Sequence, residues 1–210
     1  MKRMKYIGAL VILMIVASTS ANAQQKGILK FDLNYSYSIP LGSFKNDIIS
    51  DASPRGATGA LMYGINNKWS AGLQFGYQDY YQKYPRAIYK TGDNEETSAV
   101  LTNSVQTVPL IAKATFKPLG GSNALIQPYI TAGTGFSIVD FRQYLGEFGG
   151  SDNSTSFTAQ AGAGIMVPFN KGGASGFSIG ADYNYVAYKK LGYDNLNNLS
   201  LHAGVHFPLR

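Results

Sequence analysis

Between Ile28 and Ile39 every second residue is apolar or aromatic: Leu29, Phe31, Leu33, Tyr35, Tyr37 and Ile39, set against Lys30, Asp32, Asn34, Ser36 and Ser38. A period of two held over a dozen residues defines a strand with two chemically different faces. The pattern recurs. Gly59, Leu61, Tyr63 and Ile65 line one face of a second strand, and Trp69, Ala71, Leu73, Phe75 and Tyr77 one face of a third. Val108 to Phe116 supplies a fourth. Pro128 to Val139 is a fifth, less regular one, because Thr134 interrupts Ile130, Ala132, Phe136 and Ile138. Phe157 to Val167, Phe177 to Ala187 and Leu199 to Leu209 complete a reading of eight strands with no convincing helix.

The connections alternate in character. Those after strands two, four and six are compact (Asn66 to Lys68, Pro118 to Asn123, Asn170 to Ser175), whereas Pro40 to Arg55 and Asp79 to Leu101 are long and Asp140 to Ser154 intermediate. Short turns at one end and long loops at the other are expected of an up-and-down barrel in an outer membrane. An even number of strands then puts both termini at the short-turn end, the periplasmic side.

The first residues read differently. Lys2, Arg3 and Lys5 precede an apolar run from Tyr6 to Val16 and a small-residue stretch ending Ala21-Asn22-Ala23, the layout of a secretory signal peptide cut after Ala23. Eleven apolar residues fall well short of the about 20 that a membrane-spanning helix needs. Residues 24–210 are therefore expected to form one domain. Removing the three leader cations from eighteen leaves fifteen against twelve acidic residues, a net charge of +3, which weakens a nucleic-acid-binding reading. The absence of cysteine excludes disulfides, thiolate metal sites and a cysteine nucleophile.

A soluble barrel alternates as well, so the decision rests on which face meets water. Soluble surfaces carry about 25–35% charged residues, whereas the polar faces here are mainly Ser, Thr, Gly, Gln and Asn. Only Lys30, Asp32, Lys113 and Asp182 stand well inside strands on that face, two cations balanced by two anions. Aromatic residues also gather toward the strand ends. Phe31, Trp69, Phe116, Phe169, Phe177 and Phe207 form one band toward the short turns, and Tyr35, Tyr37, Tyr77, Phe157, Tyr183 and Tyr185 another toward the long loops. Two bands are expected of rings seated at two membrane interfaces. The reading is an all-β, closed, antiparallel, eight-stranded transmembrane barrel, with a secreted lipocalin-like barrel around an apolar ligand as the alternative.

The alternating strands, Pro40-Leu41-Gly42-Ser43-Phe44 after strand one and Pro128-Tyr129-Ile130-Thr131-Ala132-Gly133-Thr134-Gly135 in strand five resemble the small outer membrane β-barrel proteins of Gram-negative bacteria, the OmpA/OmpX-like group. The resemblance covers essentially all of residues 24–210 and implies outer-membrane location, contact with membrane lipids and lipopolysaccharide, and passage through the barrel-insertion machinery. Such barrels often end in an aromatic residue. Here Phe207 is followed by Pro208-Leu209-Arg210.

Chemistry is sparse. His202 and His206 share the polar face of strand eight, and their company with Lys30, Asp32, Lys113 and Asp182 predicts a lumenal hydrogen-bond and salt-bridge network, because buried charge persists when paired. A general-base dyad of His206 with Asp32 and a metal site are the sharper readings; two histidines four apart on a strand lie about 13 Å apart, too far to share one ion. A lipid-modifying enzyme would need a serine and histidine near the lipid face, and both histidines point inward by parity. In the long loop a basic cluster, Lys83, Arg86 and Lys90, precedes an acidic one, Asp93, Glu95 and Glu96, a candidate contact for lipopolysaccharide phosphates. No cofactor or metal is expected. The expectation is a monomeric, non-enzymatic structural or surface-interaction protein without a large pore; a narrow path for small solutes is the alternative.

Overall fold

The computed structural model describes residues 27–90, 96–122, 124–146, 148–170, 173–190 and 193–209; the expected leader lies outside them. In chain order the strands are β1 (Leu29–Pro40), β2 (Ser53–Gly64), β3 (Trp69–Lys83), β4 (Ala87–Lys90), β5 (Glu96–Ala99), β6 (Leu101–Phe116), β7 (Gln127–Leu145), β8 (Phe148–Pro168), β9 (Gly176–Val186), β10 (Lys189–Lys190), β11 (Tyr193–Asp194) and β12 (Asn198–Leu209). Eight of them close into one antiparallel barrel in the order β1, β2, β3, β6, β7, β8, β9, β12 and back to β1. Each barrel strand pairs with the next barrel strand along the chain. The exception is the seam, where β12 lies against β1 from Leu29 opposite Leu209 to Pro40 opposite Asn198.

The faces follow parity. Leu33, Leu61, Leu73, Leu110, Ile130, Phe136, Ile165 and Ile179 point outward and are exposed, while Ser36, Ser38, Gln74, Thr107, Ser137, Thr158 and Gln160 point inward and are buried. A continuous apolar exterior around a polar interior is the inverse of a soluble domain and matches the solvent of a bilayer. The stretch expected as a fifth strand, now within β7, obeys the same rule: Ile130, Ala132, Thr134, Phe136 and Ile138 face out, and Tyr129, Thr131, Ser137 and Val139 are buried inside.

The upper ends of the strands correct the sequence reading. Residues 140–154 are not a loop, because β7 and β8 stay in unbroken register from Gln127 opposite Met166 to Leu145 opposite Phe148. Above the membrane the outward face of a strand meets water, so the apolar alternation fades although the backbone pairing continues. Their turn includes Gly146 at φ +64°, a conformation that costs glycine nothing. β3 likewise runs on to Lys83, and the remaining loop residues form two hairpins, β4–β5 and β10–β11, besides a single π-helical turn at Phe44–Ile48. The first of the short turns is fixed by Asn66, whose Oδ1 accepts from the backbone N–H of Lys68 and of Trp69, each at 2.8 Å.

Candidate functional site

The interior is filled in three tiers. Toward the short turns lie the charged groups. Asp182 on β9 stands within ion-pair distance of His202 of β12, Nδ1 and Oδ2 being 3.2 Å apart, and of Lys113 of β6, Nζ and Oδ2 being 3.9 Å apart. Lys113 also donates to Gln74 Oε1 at 2.8 Å. The other ring nitrogen of His202, Nε2, lies 2.8 Å from the Tyr129 hydroxyl, completing a cluster of Asp182, His202 and Tyr129 across the lumen. Lys30, Lys113 and Lys117 surround Asp32 electrostatically.

Of the residues expected to form the network, Lys113, Asp182 and His202 are thus in direct contact. His206 and Asp32 are opposite one another in the seam. It is His202, however, that stands within ion-pair distance of a carboxylate, while Nδ1 of both histidines is buried with no hydrogen-bond partner among the described residues. Two members were not anticipated. Tyr129 follows from parity once Ile130 is placed outside; Lys117 lies one residue beyond β6, where a strand count stops, yet it is buried. Among the described residues no group of three or more His, Asp or Glu is placed to hold a metal.

Three glycines make room for these side chains, and a Cβ at Gly162 would collide with Asp182 Oδ1. A Cβ at Gly164 would stand 2.5 Å from the Tyr129 hydroxyl, and one at Gly180 would stand 2.7 Å from it and 2.9 Å from His202 Nε2. Gly180→Ala is therefore expected to displace the tyrosine and to cost about 1–3 kcal/mol, as overpacking does. The readout is the temperature at which the folded band is lost on an SDS gel, and an unchanged midpoint would contradict the tight fit.

The middle tier is a polar chamber of about 50 Å³ lined by Ser36, Gln74, Ser137, Thr158, Gln160 and Asn184 among others. Each water needs about 10–15 Å³ of such volume, so the chamber has room for a few waters. Its wall is cross-linked by hydrogen bonds, Ser137 with Thr158 at 2.6 Å and Gln160 to Asn184 at 3.0 Å.

The upper tier is apolar. Phe44, Ile48 and Ile49 from the loop after β1, and Tyr188 and Leu196 from the loop after β9, fold into the mouth against Tyr80, Val105, Val139, Phe141 and Val186. Phe44 meets Tyr80 edge to face with ring centroids 4.9 Å apart. The first loop is tied down by Asn103 Nδ2 and the Tyr84 hydroxyl, which donate to the Ile48 carbonyl at 2.7 and 3.0 Å. Tyr188 donates to Asp152 Oδ2 at 3.3 Å. Burial, reinforced by that carboxylate, pushes the Tyr188 hydroxyl up to about 12.

Outside, all twelve aromatic residues expected in two bands lie on outward-facing positions. Toward the short turns Phe31 touches Phe207 (centroids 5.5 Å), Trp69 touches Phe116 (4.7 Å) and Phe169 touches Phe177 (4.9 Å). Tyr35, Tyr77, Phe157 and Tyr183 are exposed higher up, with Tyr37, and Tyr185 is half-buried. Above this level the wall carries two ion pairs, Arg55 with Asp79 at 3.0 Å and Arg142 with Asp140 at 2.5 Å. Of the loop charges, Lys83 and Arg86 are exposed, Lys90 and Glu96 are opposite one another in the β4–β5 hairpin, and Asp93 and Glu95 lie outside the described residues.

An apolar belt between two aromatic bands, around a lumen stoppered by side chains, defines a transmembrane barrel of the closed kind. The chain belongs to the outer membrane protein beta-barrel domain family, which residues 7–207 match, and the outer membrane is accordingly its place. Among solved structures it is similar to Neisserial surface protein A (15% identity, TM-score 0.55, 86% of this chain and 96% of that one). It is also similar to OprG of Pseudomonas aeruginosa (12%, 0.50, 91% and 100%). A third likeness is to Ail, the attachment invasion locus protein of Yersinia pestis (16%, 0.46, 87% and 99%). At such identities the likeness is one of fold. No curated protein matches.

Proposed function

We propose that this is a non-enzymatic outer membrane barrel, exported with loss of residues 1–23, that works as a monomeric structural or surface-interaction protein and does not pass bulk solute. One observation carries the reading: the mouth is stoppered by an apolar cluster whose Phe44, Ile49, Val105 and Tyr188 are 0% exposed. Ions do not cross a dry apolar constriction. The cluster of Asp182, His202 and Tyr129 resembles a general-base arrangement, but all three residues are buried, 5–7% exposed, inside the lumen. Membrane lipid and lipopolysaccharide are the surroundings that the outer face fits, and the insertion machinery is the partner that its biogenesis requires.

The chamber favours a second reading, a narrow path for small solutes. Reconstitution into a planar lipid bilayer decides between them. The expected record is a flat baseline at the protein density at which an open barrel of this size gives discrete steps; a steady ohmic conductance would establish the channel instead.

A further inference from the structure

The charge balance expected of the lumen does not hold in the fold. Lys30 and Lys113 offset Asp32 and Asp182, but Lys117 is buried beside them and adds a third cation. Counting both histidines as neutral, three ammoniums against two carboxylates leave one positive charge in excess among these residues. Lys30 starts from β1 and Lys117 from the end of β6, three strands apart around the barrel. Their side chains nevertheless meet across the lumen, within hydrogen-bond distance of one another. The carboxylate near them, Asp32, is within electrostatic reach of Lys113 as well, so one negative charge is shared by three cations. Two buried ammoniums in contact are costly unless further negative charge lies close to both.

The polar groups at the same level are donors. His206 Nδ1, Gln127 Nε2 and Thr131 Oγ1 stand on inward-facing positions, only 3–5% exposed, and have no hydrogen-bond partner among the described residues. An amide N–H and a hydroxyl donate, and so does a histidine Nδ1 in the tautomer that carries its proton there. The register places them around the lysine pair. Lys117 follows Phe116, which is opposite Ile130, and so lies between the levels of Gln127 and Thr131. His206 is opposite Asp32, one inward position from Lys30, and is within electrostatic reach of both lysines. Buried donors without an acceptor destabilise a fold, and an anion would serve all of them and both ammoniums at once.

We infer that the short-turn end of the lumen binds one small monovalent anion of the halide class between Lys30 and Lys117, with His206, Gln127 and Thr131 as further donors. A single excess charge sets the valence. The size follows from crowding, because Lys30, Lys113, Lys117, Tyr129, His202 and His206 all cross the lumen at this level, and an atomic ion fits among them where a phosphate or an organic acid does not. Lys117 and Gln127 flank the connection from β6 to β7, so the site lies just inside that end and below the polar chamber.

The test uses the full chain refolded in detergent in a gluconate buffer, an anion too large for the site, with chloride exchanged in at constant ionic strength. Thermal unfolding is followed by the emission of Trp69. Above half-saturation each tenfold rise in chloride is expected to raise the midpoint by about 3–6 °C, as linkage requires of a ligand bound by the folded state alone. The ring nitrogens of His206 are expected to shift in nitrogen-15 NMR with the same half-saturation, and further than those of His202, the only other histidine. Lys117→Met removes the excess charge. It should unfold in gluconate at no lower temperature than the parent and lose the chloride response, and Lys30→Met should do the same, whereas Lys83→Met on the exposed loop keeps it. A lysine of purely structural role would instead lower the midpoint in every buffer. A parent midpoint independent of chloride would show that the lysines share a proton rather than an anion, and overturns the inference. So does an equal rise with sulfate at matched ionic strength, which is general screening, a chloride response retained in both lysine variants, or a lowered midpoint of both in gluconate.

Discussion

Asp182→Ala is expected to lower the unfolding free energy of the barrel by about 3–5 kcal/mol, the range for stranding buried charge without its partner. The side chain is 7% exposed, and its removal takes away the carboxylate that Lys113 and His202 share. Asp182→Asn keeps the hydrogen-bonding shape and should lose less. Pairing Asp182→Ala with Lys113→Met should recover part of the loss, since both charges then go together. Urea unfolding in detergent, followed by the emission of the single tryptophan, measures this directly, because Trp69 sits in the lower aromatic band and moves from lipid to water. A loss below about 1 kcal/mol, the worth of a solvated surface pair, would show that water reaches the network.

The second large effect concerns the stoppered mouth. The absence of native cysteine makes a single reporter clean, and Ser137→Cys places one in the chamber wall, at a position 1% exposed. Its alkylation by iodoacetamide is expected to lag far behind that of Ser151→Cys on the exposed rim. Tyr188→Ala removes a fully buried aromatic ring from the stopper, worth about 3–5 kcal/mol. If the reagent enters by displacement of that stopper, labelling should speed up by about a hundredfold or more, since each 1.4 kcal/mol is about tenfold. The pH dependence has a definite sign. An unfolded tyrosine titrates near pH 10, and Tyr188 in the fold near 12, so its contribution is intact below pH 10 and is lost as the pH rises toward 12. Labelling normalised to the rim control should accelerate over that window. A flat profile, with no effect of Tyr188→Ala, would mean that the chamber fills from the periplasmic end.

What the sequence made legible was whatever the bilayer imposes. Leu29 to Ile39 alternates because one side meets lipid and the other the lumen, and the same constraint marks all eight barrel strands. The constraint ends where the lipid ends. Residues 140–154 lack the alternation and have the composition of a loop, although their backbone continues the β7–β8 ladder. The stopper was invisible for a related reason. Phe44, Ile48 and Ile49 stand in a short stretch among Lys45, Asn46 and Asp47, and nothing in that spacing says that the chain folds back into the barrel. In the lumen, parity told which side chains point inward but not how strand tilt brings distant ones together. Hence Asp182 meets His202, a contact that the shared inward parity of Lys30, Asp32, Lys113, Asp182, His202 and His206 does not single out.

The seam between β1 and β12 bears on how the barrel comes to be assembled. Every other junction of the barrel joins barrel strands that follow one another along the chain, so each can form as a hairpin with a modest loss of chain entropy. The seam alone unites the two ends, through Leu29 opposite Leu209, the Phe31–Phe207 ring contact and the Ser38–Ser200 hydroxyl pair at 2.6 Å. Such a contact is kinetically the slowest to find. Until it forms, the growing sheet has two unpaired edges at the membrane, and the insertion process must shield them. The first and last strands are thus the segments on which a catalyst of barrel assembly has to act.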